Sequence, residues 1–395
     1  MNMRDFSKAA RKVAFFCITG LQILQTQPMS QFEFRGIWVV RGSLTSQEDI
    51  ERALRFAKAH QFNNVFVQMR GRGDAFYDSR VVKKSELVKD SQFDPLEYAV
   101  RRGHDLGLKI HAWLNVYLIW SSDRLPEDEQ HVFNQFPEWI DKTSLGKSTS
   151  AADAPNGNSN PMQFLSPAHP GVTNHLVKVI REMLSSYDID GLHLDYMRYG
   201  DSDFGYNIAA RIEFERRNGV DPLRLFTSSG YGMNPVWDEE TQKLMQKWNL
   251  FRREMVTDFV RRCSVIILEM NPECLLTVAV KPNPKQARNR YFQEWDKWLT
   301  EGLVDYVLPM NYASDIRGFA GVIDEIYDVV PNKYWPGIIM GISIFNQSSL
   351  DSRDKIHYSR ITGFRGISLF SYDSRKDDLS YYLPIVEEMM GNGEE

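Results

Sequence analysis

The chain has 395 residues, enough for two or three average domains or for one large α/β barrel swollen by insertions. Hydrophobic residues make up 43% and charged residues 25%, which excludes a disordered, collagenous or multi-span membrane chain. Lys+Arg 47 against Asp+Glu 52 gives a net charge of -5 with no polybasic run, so nucleic acid is not an expected partner.

Arg4, Lys8, Arg11 and Lys12 precede a largely apolar run from Val13 to Leu24, the layout of a secretory signal. Residues 1–30 therefore read as a signal peptide or N-terminal extension. Export to the periplasm, envelope or exterior follows, with peripheral association with the cell envelope; a frayed helix on a cytoplasmic protein is the alternative. Residues 31–390 read as one barrel domain. Cys17, Cys263 and Cys274 fall in no CxxC or paired Cys/His spacing, so neither a metal nor a cofactor is expected. Without the leader, Cys263 and Cys274 permit one disulfide or remain buried thiols.

From residue 33 onward, short apolar runs alternate with helix-like stretches. FRGIWVV (34–40) reads as the first buried strand, followed by a crossover helix with Ser46 as its cap and Ile50, Leu54 and Ala57 on one face. NVFVQM (64–69), LKIHAWL (108–114), IDGLHL (189–194), LLTVAV (275–280), VDYVLPM (304–310), GIIMGISI (337–344) and FRGISLF (364–370) supply seven more strands. Helical patterns over 94–107, 173–187, 248–270, 292–302 and 320–330 separate most of them. Eight strands alternating with helices predict a (β/α)8 TIM barrel with long insertions after strands three and four. The polar stretch 141–161 reads as a surface loop in the first insertion. A helix near 208–217 and a Gly/Ser/Asn segment (227–235) belong to the second.

In such a barrel, polar residues at the C-terminal strand ends point into the mouth. Strand two offers Arg70, Asp74 and Tyr77; strand three, Trp113 and Asn115; strand four, His193, Asp195 and Arg198. Strand five ends at Lys281, strand six at Asn311 and Tyr312 with Asp315 beyond, and strand eight at Tyr372 and Asp373. Taken singly, such residues are often caps or satisfied hydrogen-bond partners. Asp195 stands out because strand alternation puts it on the inward side with His193, while Leu192 and Leu194 face the helices. A buried ion pair with Arg198 or Arg70 is the competing reading of that carboxylate. Glycoside cleavage commonly uses two carboxyl groups, and Asp74, Asp315 and Asp373 are the candidate partners of Asp195. Substrate assistance by an N-acetyl group needs only one, with Tyr312 as its orienting partner.

In order, FRGIWVV, NNVFVQMRGRGDAFYDS, GLKIHAWLNVY, FPEWI with FLSPAHPGV, IDGLHLDYMRYG, LLTVAV, VDYVLPMNYA and GISLFSYDS resemble the blocks of the bacterial family 10-like glycosylhydrolases. The resemblance covers about residues 33–385. It implies a usually exported (β/α)8 barrel acting on glycans, including peptidoglycan strands stripped of peptides, with the presumed catalytic carboxylate at Asp195. AVKPNPKQARN after strand five and PMNYAS after strand six depart from the family's usual residues, which leaves substrate preference open. The expected function is a glycoside hydrolase cleaving a polysaccharide that contains N-acetylhexosamine. Arg70, Tyr77, Trp113, Asn115, His193, Arg198, Lys281, Asn311, Tyr312 and Tyr372 are the expected sugar-binding residues. The alternatives are a carbohydrate-binding barrel without catalysis and a metal-dependent hydrolase.

Overall fold

The computed structural model describes residues 31–150, 161–227 and 238–391. The leader-like segment and most of the 227–235 segment lie outside the described residues. Each of the eight apolar runs becomes a barrel strand: β1 (Phe34–Val39), β2 (Asn64–Arg70), β3 (Lys109–Asn115), β7 (Gly191–Asp195), β8 (Leu275–Val280), β9 (Tyr306–Asn311), β10 (Ile339–Ser343) and β11 (Gly366–Phe370). They close in the order β1-β2-β3-β7-β8-β9-β10-β11, and β11 pairs back to β1 in parallel. The barrel expected from the sequence is the barrel observed.

The two-residue period of each strand explains the closure. Ile37 and Val39, Val65 and Val67, Ile110 and Ala112, and Leu192 and Leu194 point outward and join the large core beneath the helices. The opposite parity fills the lumen, where Phe34, Trp38, Phe66, Trp113, Leu308 and Ile339 form a separate cluster. Helix caps act locally, at Ser46 as read and at Asp94 in addition. Ser46 caps Gln47–Ala59 by accepting from the Asp49 backbone N–H at 3.2 Å, and Asp94 caps Pro95–Asp105 the same way. The 248–270 pattern is longer than expected, starting behind the Asp238 cap and running over Glu239–Met270. The 292–302 pattern shrinks to Trp295–Thr300, with a separate helix Pro284–Arg290 before it.

The long β3–β7 interval carries a small antiparallel sheet, β4 (Leu118–Trp120), β5 (Thr149–Ser150) and β6 (Met162–Phe164), in the order β4-β6-β5. Residues 142–149 are largely exposed, as a surface loop should be, but Asp141, Thr143 and Ser150 anchor the segment by burial; residues 151–160 lie outside the described residues. Asp141 is fully buried, and the Ser150 hydroxyl donates to the Gly200 carbonyl at 3.2 Å. Burial pushes the Asp141 carboxyl up to about 7, against the Lys142 backbone N–H and the charge of Arg252. Arg252, on Glu239–Met270, donates to the Ser202 and Phe204 carbonyls and lies 3.8 Å over the Phe292 ring. Polar composition concealed a segment whose ends are tied to the loop after β7.

Inside the lumen, His111 of β3 lies directly against Gly191 of β7, with which it is paired in register. A Cβ on Gly191 would collide with the imidazole, whereas one on Gly321, on the exposed face of Ile316–Val329, would meet nothing within 4 Å. Gly191→Ala is expected to lower stability by about 2 kcal/mol or more through overpacking. Gly321→Ala should raise it by up to about 1 kcal/mol through helix propensity. Urea unfolding of both variants checks this; equal midpoints would refute the packing account.

Candidate active site

The parity that fills the lumen also builds the mouth. Asn115 and Asp195 end β3 and β7 side by side in register, two residues above Trp113 and His193. His193 is completely buried. The Trp38 indole N–H donates to His193 Nε2 at 3.1 Å, so the neutral ring carries its proton on Nδ1 and donates it to Thr277 Oγ1 at 2.8 Å. Burial holds its pKa well below the ordinary histidine range. Both ring nitrogens are thus committed beneath the site, and His193 supports the floor instead of touching the cavity. This corrects its assignment to sugar binding.

Above the floor opens a cavity of about 430 Å³ at the C-terminal ends of the strands. Trp38, Gln68, Trp113 and Asn115 wall one side; Asp195, Tyr196, Arg198 and Lys281 another; Met310, Tyr312 and Phe370 close it. Leu118 and Ser121, from β4 and the turn after it, add the insertion's contribution. Among the described residues of this lining, Asp195 is the only carboxylic acid.

Asp195 is 7% exposed. Burial raises its pKa to about 6, opposed by the Tyr196 backbone N–H, the charges of Arg198 and Lys281, and the Trp113 indole. The Tyr196 N–H donates to Asp195 Oδ1 at 2.6 Å. Tyr196 itself has φ 50°, a left-handed backbone uncommon for a non-glycine residue, as strand β7 gives way to the following loop. Arg198 is held in an aromatic clamp, its guanidinium carbon 4.9 Å from both the Tyr196 and Tyr291 ring centres, while donating to the Tyr199 carbonyl. Lys281 Nζ lies 4.8 Å from the Tyr291 centroid. The Tyr312 ring stacks on Phe370 with centroids 5.5 Å apart, and burial and the Asp195 charge raise its hydroxyl pKa well above the usual value.

Of the expected site residues, Asp195, Trp113, Asn115, Arg198, Lys281 and Tyr312 come together here. The others do not reach this cavity. Arg70 is fully buried behind it and donates to the Asn115 and Val116 carbonyls, bracing the end of β3. Asp74 accepts from the Arg72 backbone N–H at 2.9 Å and lines a neighbouring cleft. Asp315 caps Ile316–Val329 through the Gly318 N–H. Asn311 has the outward parity of β9 and donates to the Phe319 carbonyl. Tyr77 packs edge-on against Tyr187, and Tyr372 against Phe56 on the helix side. Asp373 is held by the Val40 N–H and the Ser43 hydroxyl, both at 2.7 Å.

Sequence reasoning missed Trp38, Arg41, Tyr196, Met310 and Phe370 as cavity residues. Strand parity marked three of them, since Trp38 follows Phe34 by four residues, Met310 follows Leu308 by two, and Phe370 follows Ser368 by two. Arg41 lies two residues past β1 and starts a polar chain: its Nη1 donates to Gln68 Oε1 (3.1 Å), Gln68 to Asn115 Oδ1 (3.4 Å), and Asn115 to the Gly71 carbonyl (2.8 Å).

Residues 33–347 match the family described as glycosyl hydrolase-like 10. The chain is 23% identical over 342 residues to glycosyl hydrolase YngK of Bacillus subtilis (strain 168), covering 78% of this chain and 58% of that protein. It is 22% identical over 308 residues to glycosyl hydrolase DigH of Escherichia coli (strain K12), covering 70% and 59%. It therefore spans somewhat under three fifths of the length of these relatives. Among solved structures, the PgaB (BpsB) glycoside hydrolase domain from Bordetella bronchiseptica shares the fold, with a TM-score of 0.66 at 14% identity, over 90% of this chain and 98% of that one. A barrel whose mouth gathers one buried carboxyl among aromatic and cationic side chains, and whose sequence matches from β1 past β10, belongs to the glycosyl hydrolase-like 10 family.

Proposed function

We propose that this chain cleaves glycosidic bonds in a polysaccharide containing N-acetylhexosamine, with Asp195 as the proton donor and the sugar's own acetamido group as nucleophile. The observation that carries the reading is the single buried carboxyl of the cavity, whose pKa of about 6 leaves a usable protonated fraction near neutrality. In the first step the acetamido oxygen bonds to the anomeric carbon as the glycosidic C–O bond breaks, and Asp195 gives its proton to the leaving oxygen. In the second, the Asp195 carboxylate takes a proton from a water whose oxygen bonds to the anomeric carbon as the acetamido oxygen's bond to that carbon breaks. Tyr312 orients the acetamido group, Trp113 offers an apolar face to the sugar, and Asn115 and Lys281 take hydroxyl groups.

The absence of a second acid from the described lining also favours a second reading, a barrel that binds glycans without cutting them. Mass spectrometry of products separates the two, using the protein and Asp195→Asn with peptide-free peptidoglycan strands, chitin oligomers and partly deacetylated glucosamine polymers. Chain shortening by the parent protein, reduced at least about a hundredfold in Asp195→Asn, is expected from loss of a general acid. Binding by both proteins with cleavage by neither would establish the second reading.

Two pH effects follow from the raised carboxyl. The acid form donates the proton, so kcat/KM should fall about tenfold per pH unit above pH 6; a rate that instead rises through pH 6–8 would remove Asp195 from the donor role. For stability the folded pKa exceeds the unfolded value of about 3.9, so the folded state binds the extra proton and loses stability as pH climbs from about 4 through about 6. Asn cannot ionise and keeps an acceptor for the Tyr196 N–H. Asp195→Asn should therefore be more stable than the parent at pH 7.5, by up to about 3 kcal/mol, with the gain gone at pH 4. Urea denaturation at the two pH values measures it.

A further inference from the structure

The catalytic cavity does not end at Arg41. A neighbouring cleft of about 630 Å³ shares that residue and continues along Arg72, Asp74, Trp120 and His131. We propose that Arg41 and Arg72 form an anion subsite at this junction, and that it takes the carboxylate of an acidic sugar residue in the same glycan whose neighbouring bond lies at Asp195.

The geometry of the two guanidinium groups carries the argument. Arg72 is half-buried and held by neutral partners: Nε donates to the Ser121 hydroxyl and Nη2 to the Ser121 carbonyl, both at 3.0 Å, and its guanidinium carbon lies 5.4 Å from the Trp120 ring centre. His131 fixes this arrangement from behind. Its Nδ1 accepts from the Phe133 N–H, so Nε2–H donates to the Arg72 carbonyl at 2.8 Å, and its ring meets Trp120 edge-on. Arg41 is oriented by the neutral Gln68 amide and lies flat on Gly71, where an added Cβ would come within 2.6 Å of its Cδ.

Neither arginine forms an ion pair with a carboxylate of the described residues, and Arg72 lies within the field of Arg41. Asp74 accepts from the Arg72 backbone N–H through one oxygen, and its charge offsets part of the field at Arg72, where the repulsion from Arg41 is the larger effect. The lysines of the cleft are already neutralised, Lys83 by Asp128 at 2.6 Å and Lys84 by Asp78. Two like charges are thus preset by neutral acceptors in a half-buried junction, and the repulsion from Arg41 outweighs what Asp74 offsets at Arg72, which favours the arrival of a further anion. A carboxylate is the planar acceptor that two guanidinium forks match. The proposal rests on the glycan reading of the adjacent cavity and deepens it, because it requires the substrate to be anionic. Two sugar chemistries supply the group, a lactyl ether on a hexosamine or the C6 carboxylate of a hexuronic acid.

The test measures binding to the full-length Asp195→Asn protein by calorimetry, so that cleavage is not needed for a readout. The ligands are peptide-free peptidoglycan strands and a hexuronate–N-acetylhexosamine copolymer, each beside its own carboxyl-reduced form, in which a neutral primary alcohol replaces the carboxylate. At least one native polymer should bind about tenfold more tightly than its reduced form at low salt, as expected for charge-assisted hydrogen bonds, and the ratio should shrink as salt rises. Whichever polymer shows the ratio identifies the source of the carboxylate. Arg41→Gln and Arg72→Gln should each bring that ratio close to one. Equal affinity for native and reduced forms, or a ratio that survives in both variants, overturns the subsite while leaving the glycan reading intact. No affinity for either polymer in any form overturns the glycan reading and the subsite together.

Discussion

A strand buried on both faces has no neutral side, and a closed parallel barrel turns this into a rule that every second residue must suit either the helix layer or the lumen. In β7 the rule is applied over five residues. Leu192 and Leu194 go to the helices, while Gly191, His193 and Asp195 rise through the lumen as a column. The glycine leaves room for His111, the histidine is fully satisfied by Trp38 and Thr277, and the aspartate emerges at the mouth. A one-residue slip in register would send Asp195 into the apolar layer and two leucines into the site.

The electrostatic character of the site follows from that column. A carboxyl that ends a buried strand is desolvated from below by aromatic rings, and desolvation is the largest influence on its proton affinity. Arg198 and Lys281 limit the rise from above without removing it. Their charges are themselves steadied on Tyr291, so the field around the carboxyl depends on side chains from two loops, one after β7 and one after β8. The strained backbone at Tyr196 is where the chain leaves the barrel rule and turns its N–H back onto the carboxyl.

The segments between strands give the general barrel its particular mouth. The β4–β6 sheet places Leu118 and Ser121 on the cavity, and Phe164 of β6 lies 5.6 Å from the Arg198 guanidinium carbon. Arg252 binds the loop after β7 from the opposite side. The cavity and the neighbouring cleft meet at Arg41, so the proposed polymer would occupy the two together.

Local patterns in the sequence determined the eight strands, their inward and outward faces, the Ser46 and Asp94 helix caps, and the position of Asp195 on the lumen side of β7. These depend on periods of 2 and 3.6 residues and on capping chemistry, which act over a few neighbouring positions. Only the tertiary structure decided which strand-end polar groups converge. Arg70, Asn311 and Tyr77 have the composition of site residues, yet parity and packing turn them into the wall, whereas Trp38 and Phe370 resemble core and border the cavity. The buried Asp141 shows the same limit, since a Ser- and Gly-rich stretch reads as solvent-facing until an arginine on a distant helix is placed beside it. Those outcomes depend on barrel shear and on contacts between residues far apart in the chain, and no local pattern in the sequence encodes them.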